Sequence, residues 1–332
     1  MIVSTFFAIS LFACSDQEEE PKAEAVTSIQ EVQKTIKGDL GTAKSTFQKA
    51  LDKNPQDTNA LVGMAYLASL RGDYTKADEL LQKAEVTAKD KSSLFLQRAI
   101  VALQTQDLES ARLLAEQSNT DYGTLIAAEL DIVDDENDAA TEKLQGLSSS
   151  DFSEISERYL ALLNSDNEGE VLLAVAYAAW GLGDKSLALQ TFESALENLG
   201  SYERIGDELL VWTGRAIQEK DLSSASSWTK NPKFSKVSSG NEWRVKATKA
   251  IVACGSSKGK KCYFKNSKAP IKGIEAAKVT AARLIMDSNP KQAEKLLKGI
   301  EGSSAAYVFY KMDDSDSAEE VATGKFQDFL ND

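Results

Sequence analysis

The chain has 332 residues, of which 42% are hydrophobic and 27% charged, and this composition is ordinary for a folded protein. Its formal net charge of −13 argues against nucleic acid as the partner of the whole molecule. It contains no histidine, which removes the commonest general base, the usual Ser and Cys triads and the zinc sites that need imidazole. We therefore predict no catalytic residue, no metal site and no cofactor.

The first feature in chain order is an apolar run at residues 2–13, which ends at Cys14 and is followed by Ser15 and an acidic stretch. The run is too short to span a bilayer and has the length of the apolar region of a signal peptide. Its end, Leu11-Phe12-Ala13-Cys14, resembles the lipobox of bacterial lipoproteins. The resemblance implies that 1–13 is a signal peptide and that Cys14 is lipidated. The alternative is an apolar N-terminus with a chance cysteine.

Residues 14–25 are acidic, contain Pro21 and lack apolar periodicity. This pattern predicts a flexible tether between a lipid anchor on Cys14 and the folded part. Lipoprotein character implies a location in the bacterial cell envelope. Ser15 after the cysteine resembles the signal for sorting to the outer membrane, where the protein would face the periplasm.

A period of 34 residues organises the chain after the tether. Gly38-Asp39-Leu40, Ala43 and Phe47 recur as Gly72-Asp73-Tyr74, Ala77 and Leu81, and Ala111 continues the series. Small residues at these positions let two helices approach closely, and glycine relieves the turn between them. A fixed period of this kind predicts an all-α, superhelical solenoid of about six to eight helical hairpins.

The repeats divide the chain into four predicted parts. These are an N-terminal array at 26–121, divergent helical repeats at 122–165, regular repeats at 166–232 and divergent hairpins at 233–332. In the second part Ala140 follows Ala111 by only 29 residues, so one helix or loop is shortened. In the last part we expect a helix at 243–253, a pair at 274–286 and 291–298, and another pair at 305–311 and 318–330.

These spacings resemble the tetratricopeptide repeat family, most closely in the first two repeats and at 169–202. The resemblance implies a scaffold for protein partners whose first helices line a concave groove. By register, the groove residues are Val62, Tyr66, Leu70, Leu96, Ile100, Leu103, Leu173, Tyr177 and Trp180. An apolar, aromatic groove suits an amphipathic helix or an extended peptide. The alternative is that these side chains pack against neighbouring helices.

The C-terminal part contains an even pair of cysteines, Cys254 and Cys262, which in an exported protein favours a disulfide over two free thiols. Residues 230–283 hold 14 Lys and Arg against two Glu. Lys258, Lys260, Lys261, Lys265 and Lys268 lie in or beside the segment between the cysteines. They predict a basic patch for an anionic lipid, a glycan or an acidic protein, with a lysine-rich solvated loop as the alternative.

Two functions are therefore predicted. The first is a membrane-anchored scaffold that binds protein partners in an envelope complex, such as pilus, secretin or outer-membrane protein machinery. The second is a binding or sensor lipoprotein that recognises an anionic ligand through the basic patch. The Ser227-x-x-Lys230 spacing of serine-lysine acylases lacks the accompanying motifs of those enzymes and is read as a chance match.

Overall fold

The structure, a computed structural model, describes residues 40–200, 202–257, 262–264, 270–312 and 317–318. Helices α1–α8 are Leu40–Lys53, Thr58–Leu70, Tyr74–Thr87, Ser92–Gln104, Leu108–Gln117, Asp121–Val133, Asn137–Gly146 and Ser153–Leu163. Helices α9–α16 are Glu168–Leu182, Lys185–Asn198, Ile205–Gln218, Leu222–Thr229, Glu242–Ser256, Ile271–Ile285, Pro290–Leu297 and Ser303–Lys311, with a 3₁₀ turn at Pro232–Ser235. No strand forms in the described ranges, and the predicted all-α fold is confirmed.

Several predicted features lie outside the described residues. They are the signal peptide at 1–13, Cys14 and the tether at 14–25, the first helix of the first repeat, most of the predicted helix at 318–330, and Lys258, Lys260, Lys261, Lys265 and Lys268.

The described residues belong to two compact units. The first unit comprises 40–166 and 170–191, and the second comprises 167–169 and the residues from 192 onward. None of the described helices is both long enough and apolar enough to cross a membrane.

The hairpin turns follow one local design. At the end of α2 the Gly72 N–H donates to the Ser69 carbonyl at 3.0 Å, and the Asp73 N–H donates to the Ala68 carbonyl at 3.0 Å. This pair of bonds is a Schellman cap, which needs a left-handed residue, and Gly72 has a φ of +78°. Asp73 then caps α3, because its side chain accepts a bond from the Lys76 N–H at 3.1 Å. The Gly-Asp pair in the sequence therefore ends one helix and starts the next.

The same turn is built without glycine at other sites. Gln106, Asp135 and Lys220 take the left-handed position with φ values of 60°, 63° and 59°. Asp107 and Asp221 cap the helices that follow Gln106 and Lys220 through bonds of 3.1 and 3.0 Å. The aspartate cap is thus retained at two of these three turns, whereas Glu136 after Asp135 makes no side-chain cap bond.

The core of the first unit is built on alanines at the repeat positions. Ala43, Ala77 and Ala111 are fully buried, which explains the 34-residue series, since a larger side chain would push the helices apart. Gly63 on α2 lies against the ring of Phe47 on α1, and a Cβ added there would come within 2.5 Å of the ring. Close packing at these positions requires small residues.

The irregular spacing between Ala111 and Ala140 is explained by helix length. Helix α5 has 10 residues, whereas α3 at the equivalent place has 14. The predicted shortening is confirmed and lies in the second helix of the third repeat.

The core of the second unit contains a cluster of aromatic side chains. The rings of Phe192 and Trp212 stack with their centroids 4.8 Å apart. The Trp228 ring packs edge-on against Phe192, with the two centroids 5.0 Å apart. Phe234, in the 3₁₀ turn, is also fully buried. Rings of this size bury more apolar surface per residue than alanine does.

Helices α13 and α14 run in the same direction. Gly273 near the start of α14 lies against Trp243 near the start of α13, and Gly255 at the end of α13 lies against Leu284 near the end of α14. The disulfide joins Cys254, near the end of α13, to Cys262, with Cα atoms 4.7 Å apart.

Candidate functional site

The nine predicted groove residues have two different environments. Val62, Leu103 and Leu173 are buried in the core, so they have almost no surface to offer a partner. The other six are half-buried, and they are Tyr66 and Leu70 on α2, Leu96 and Ile100 on α4, and Tyr177 and Trp180 on α9. We call these six the groove set.

Helix α9 lies directly against α4 and α6, although two helices separate it from α6 in the sequence. Leu182 of α9 packs in the same core cluster as Leu103 of α4 and Leu130 of α6. A Cβ on Gly183 would lie 3.9 Å from the side-chain Nε2 of Gln104, the last residue of α4. The structure therefore brings Trp180, one turn before Gly183, to the end of α4 that carries Ile100.

Two of the three aromatic residues of the groove set, Tyr177 and Trp180, each hold a cation. The Arg158 guanidinium lies 4.1 Å from the centre of the Tyr177 ring, and its Nη2 donates to Tyr177 Oη at 2.6 Å. The Lys185 Nζ lies 4.2 Å from the centre of the Trp180 ring and donates to the Trp180 carbonyl at 2.6 Å. Each cation–π contact stabilises its ring position by about 0.5–1 kcal/mol at an exposed site.

A buried carboxylate of α6 packs against α9. Glu129 on α6 is almost fully buried and accepts a bond from Tyr159 Oη of α8 at 2.8 Å. A Cβ on Gly181 of α9 would come within 2.5 Å of this carboxylate, so a larger residue at this position would displace the carboxylate from its present place. Burial and the charge of Glu129 raise the pKa of the Tyr122 hydroxyl to about 12. Tyr122 therefore stays neutral at physiological pH.

A second buried carboxylate joins three helices of the same unit. Asp131 of α6 pairs with Arg112 of α5 and, at 2.6 Å, with Lys143 of α7. Its side chain is only 1% exposed, so the two cations are what make an ionised aspartate tolerable there. Glu129 and Asp131 together fix α6, the helix on which α9 rests.

The second unit presents positive charge beside its disulfide. Lys246 and Lys249 lie on the exposed stripe of α13 that continues to Ala253, next to Cys254. In the part of the chain that the structure describes, neither lysine forms an ion pair. Tyr263, which follows Cys262, is 76% exposed.

Ser227 and Lys230 line a surface depression of about 430 Å³ in the second unit, together with Glu193, Glu197 and Trp228. Among the described residues, no hydrogen bond joins the Ser227 and Lys230 side chains. An activated serine needs its base within hydrogen-bond reach.

The described residues also hold no group of three or more His, Cys, Asp or Glu side chains that could bind a metal ion.

Sequence reasoning missed the groups that hold the groove set in place. Arg158 and Lys185 lie on helices that carry no groove residue by register. Glu129 and Asp131 did leave a signal, since they interrupt the otherwise apolar run of α6. A carboxylate within such a run indicates a buried polar contact.

The comparison with protein families identifies a match to the tetratricopeptide repeat at residues 35–106. No curated protein matches the chain in sequence. Among solved structures, the crystal structure of MamA is 18% identical, with a TM-score of 0.33, covering 51% of this chain and 94% of that one. The tetratricopeptide repeat domain of P58(IPK) is 15% identical, with a TM-score of 0.25, covering 93% of this chain and 97% of the other.

Proposed function

We propose that this tetratricopeptide repeat protein is a scaffold of the bacterial cell envelope, which binds a helical or extended segment of a partner protein through the groove set of its first unit. The observation that carries the proposal is the pair Tyr177 and Trp180. Both residues are only partly buried, and both rings are held by cations of neighbouring helices. Tyr and Trp are the residues on which protein interfaces most often depend.

Binding would occur by docking to side chains that are already in position. Because Arg158 and Lys185 restrain the two rings, little side-chain freedom remains to be lost when a partner binds. Tyr66, Leu70, Leu96 and Ile100 are half-buried against the core and would extend the apolar contact. An amphipathic helix could place its apolar face on such a surface.

The envelope location is supported by the lipobox-like residues before Cys14 and by the Cys254–Cys262 disulfide. Structural disulfides persist in oxidising compartments outside the cytosol. A lipid on Cys14 would keep the scaffold at the membrane, where pilus, secretin or outer-membrane protein machinery assembles. Mass spectrometry of Cys14 tests this part, and we expect Cys14→Ser to move the protein from the membrane fraction to the soluble fraction.

The groove is tested by a photoreactive amino acid placed at Tyr177 in living cells. We expect it to cross-link a distinct partner, and we expect Tyr177→Ala with Trp180→Ala to weaken capture of that partner at least about tenfold. Circular dichroism should show that the double variant stays folded, because neither residue belongs to the fully buried core.

The matched control is Leu113 of the first unit, which is 56% exposed and lies outside the groove set. The photoreactive amino acid at Leu113 should not cross-link the same partner. Identical products from both positions, or unchanged capture by the double variant, would remove the groove set from the proposal.

A second candidate function is favoured by the positive charge of the second unit. Lys246 and Lys249 are exposed without an ion pair in the described structure, and Lys258, Lys260, Lys261, Lys265 and Lys268 follow in the sequence. This region would bind an anionic ligand. Affinity that falls steeply with salt, and falls again when Lys258, Lys260 and Lys261 are neutralised, is the expected result.

A further inference from the structure

The disulfide of the second unit presents an aromatic side chain to solvent. Cys254 is fully buried near the end of α13, and its bond to Cys262 brings the next residue, Tyr263, to the same end of the helix. Tyr263 is 76% exposed, although tyrosine usually buries most of its ring. The covalent link therefore keeps an exposed ring at a defined place.

Positive charge lies on the same helix as the cysteine to which this ring is tied. Lys249 precedes Cys254 by five residues of α13, which corresponds to an axial distance of about 7.5 Å. Lys246 lies one turn further along the same exposed stripe. The Lys249 Nζ donates to Ser235 Oγ at 3.2 Å and lies 5.4 Å from the centre of the buried Phe234 ring, so its position is fixed although its charge stays at the surface.

We propose that Tyr263, Lys246 and Lys249 form a docking face for an anionic lipid bilayer. The proposal rests on the second candidate function and names the ligand of that surface. An amphipathic ring is favoured at the boundary between headgroups and acyl chains, where its apolar body is buried and its hydroxyl stays wet. Lysines near an anionic bilayer add about a fivefold gain in binding each.

A bilayer fits these residues better than an acidic protein does. Tyr263 protrudes into solvent, and a protein partner would need a matching pocket, whereas a headgroup layer adapts to the ring. The bilayer also explains why charge and ring occur together, since anionic lipid attracts the lysines while its interface takes up the tyrosine. The face would hold the second unit against the membrane.

The test is sedimentation with phosphatidylcholine vesicles that contain or lack phosphatidylglycerol. Every protein is the full chain with Cys14→Ser, so that no acyl chain can be attached there. We expect binding to the anionic vesicles at low salt and little binding to the neutral ones. Tyr263→Ser should weaken anionic binding roughly fivefold, and Lys246→Ala with Lys249→Ala about 20-fold.

The control for the ring is Val86→Ser in the first unit, because Val86 is 78% exposed and lies far from any disulfide in the sequence. This substitution should leave vesicle binding unchanged.

Binding to soluble polyglutamate and to heparin is measured in parallel. Binding to them that is insensitive to Tyr263→Ser, without binding to anionic vesicles, would overturn the bilayer proposal and leave the second candidate function standing. Equal binding to both kinds of vesicle would also overturn it, and binding to no anionic probe would remove both.

Discussion

The two units fill the spaces between their helices by different means. In the first unit, alanines at a constant period let helices approach, as at Ala43, Ala77 and Ala111. In the second unit, alanine remains at such positions, for example at Ala216, and stacked rings centred on Trp212 add a cluster of large buried side chains. The first unit therefore depends on how closely its helices approach, and the second unit adds a cluster of large rings to that packing.

The units also differ in what links their helices. In the first unit, Asp131 joins three helices through Arg112 and Lys143, and Arg98 of α4 pairs with Asp78 and Glu85 of α3. In the second unit, the disulfide ties Cys262 to Cys254 near the end of α13. The ion pairs of the first unit and the disulfide of the second should therefore respond to different perturbations.

The largest expected effect is at the aromatic core. Trp212→Ala removes a fully buried ring that stacks on Phe192, and should lower the free energy of unfolding by about 3–5 kcal/mol. Urea denaturation measures this free energy. Unfolding is monitored by far-ultraviolet circular dichroism, because the loss of Trp212 also changes the tryptophan fluorescence. Leu130→Ala in the first unit is the comparison, with an expected loss of about 2–3 kcal/mol. If Trp212→Ala lowers the free energy of unfolding no more than Leu130→Ala does, the ring cluster is not a main source of the second unit's stability.

The next effect is at the buried carboxylate of the first unit. Asp131→Asn keeps the size of the side chain but leaves Arg112 and Lys143 beside a neutral group, and should cost about 3 kcal/mol. Denaturation at neutral pH measures it. Glu116→Gln is the control, because Glu116 is 47% exposed and 3.6 Å from Lys143, and its loss should stay below about 0.5 kcal/mol. Equal losses for the two variants would show that Asp131 is not a structural link.

Loss of the disulfide should lower the free energy of unfolding somewhat less than Asp131→Asn does. Closure between residues eight apart is worth about 2–3 kcal/mol on the loop-entropy model, and Cys254→Ser with Cys262→Ser should lower stability by that amount. Reductant added to the unsubstituted protein should reproduce the loss, with Cys14→Ser in every sample. Mass spectrometry after alkylation checks the redox state. Free thiols in protein purified from the envelope would refute the pairing.

The sequence predicts well where the local pattern is set by neighbouring residues. Gly72-Asp73 requires a turn and a helix start, and both form, because backbone conformation and capping act within a few residues. The shortened hairpin was visible from the distance between Ala111 and Ala140 alone. The fold class therefore needs little beyond the repeat register.

The groove was harder to predict because register does not decide exposure. Val62 and Tyr66 are one turn apart on α2, yet Val62 is buried and Tyr66 is half-buried. The placement of α9 on α4 and α6 depends on Gly181 facing Glu129, a contact between residues far apart in the chain. A pattern with a single period contains no information about such a contact, so Arg158 and Lys185 could not be assigned to the rings from the sequence.

The smallest effect concerns a turn that both units share. Gln106 in the first unit and Lys220 in the second adopt left-handed backbone conformations that glycine adopts without strain. Lys220→Gly should therefore stabilise the protein by about 0.5–1 kcal/mol, less the entropy that glycine adds to the unfolded chain. Gln106→Gly should gain less, because the Gln106 amide donates to the Leu103 carbonyl at 3.3 Å and that bond is lost. Thermal and urea denaturation measure both, with Gly72→Ala as the converse change, which should cost about 1 kcal/mol. If glycine stabilised position 106 but destabilised position 220, the turn would not be common to the two units, and the difference between them would extend from their cores to their connections.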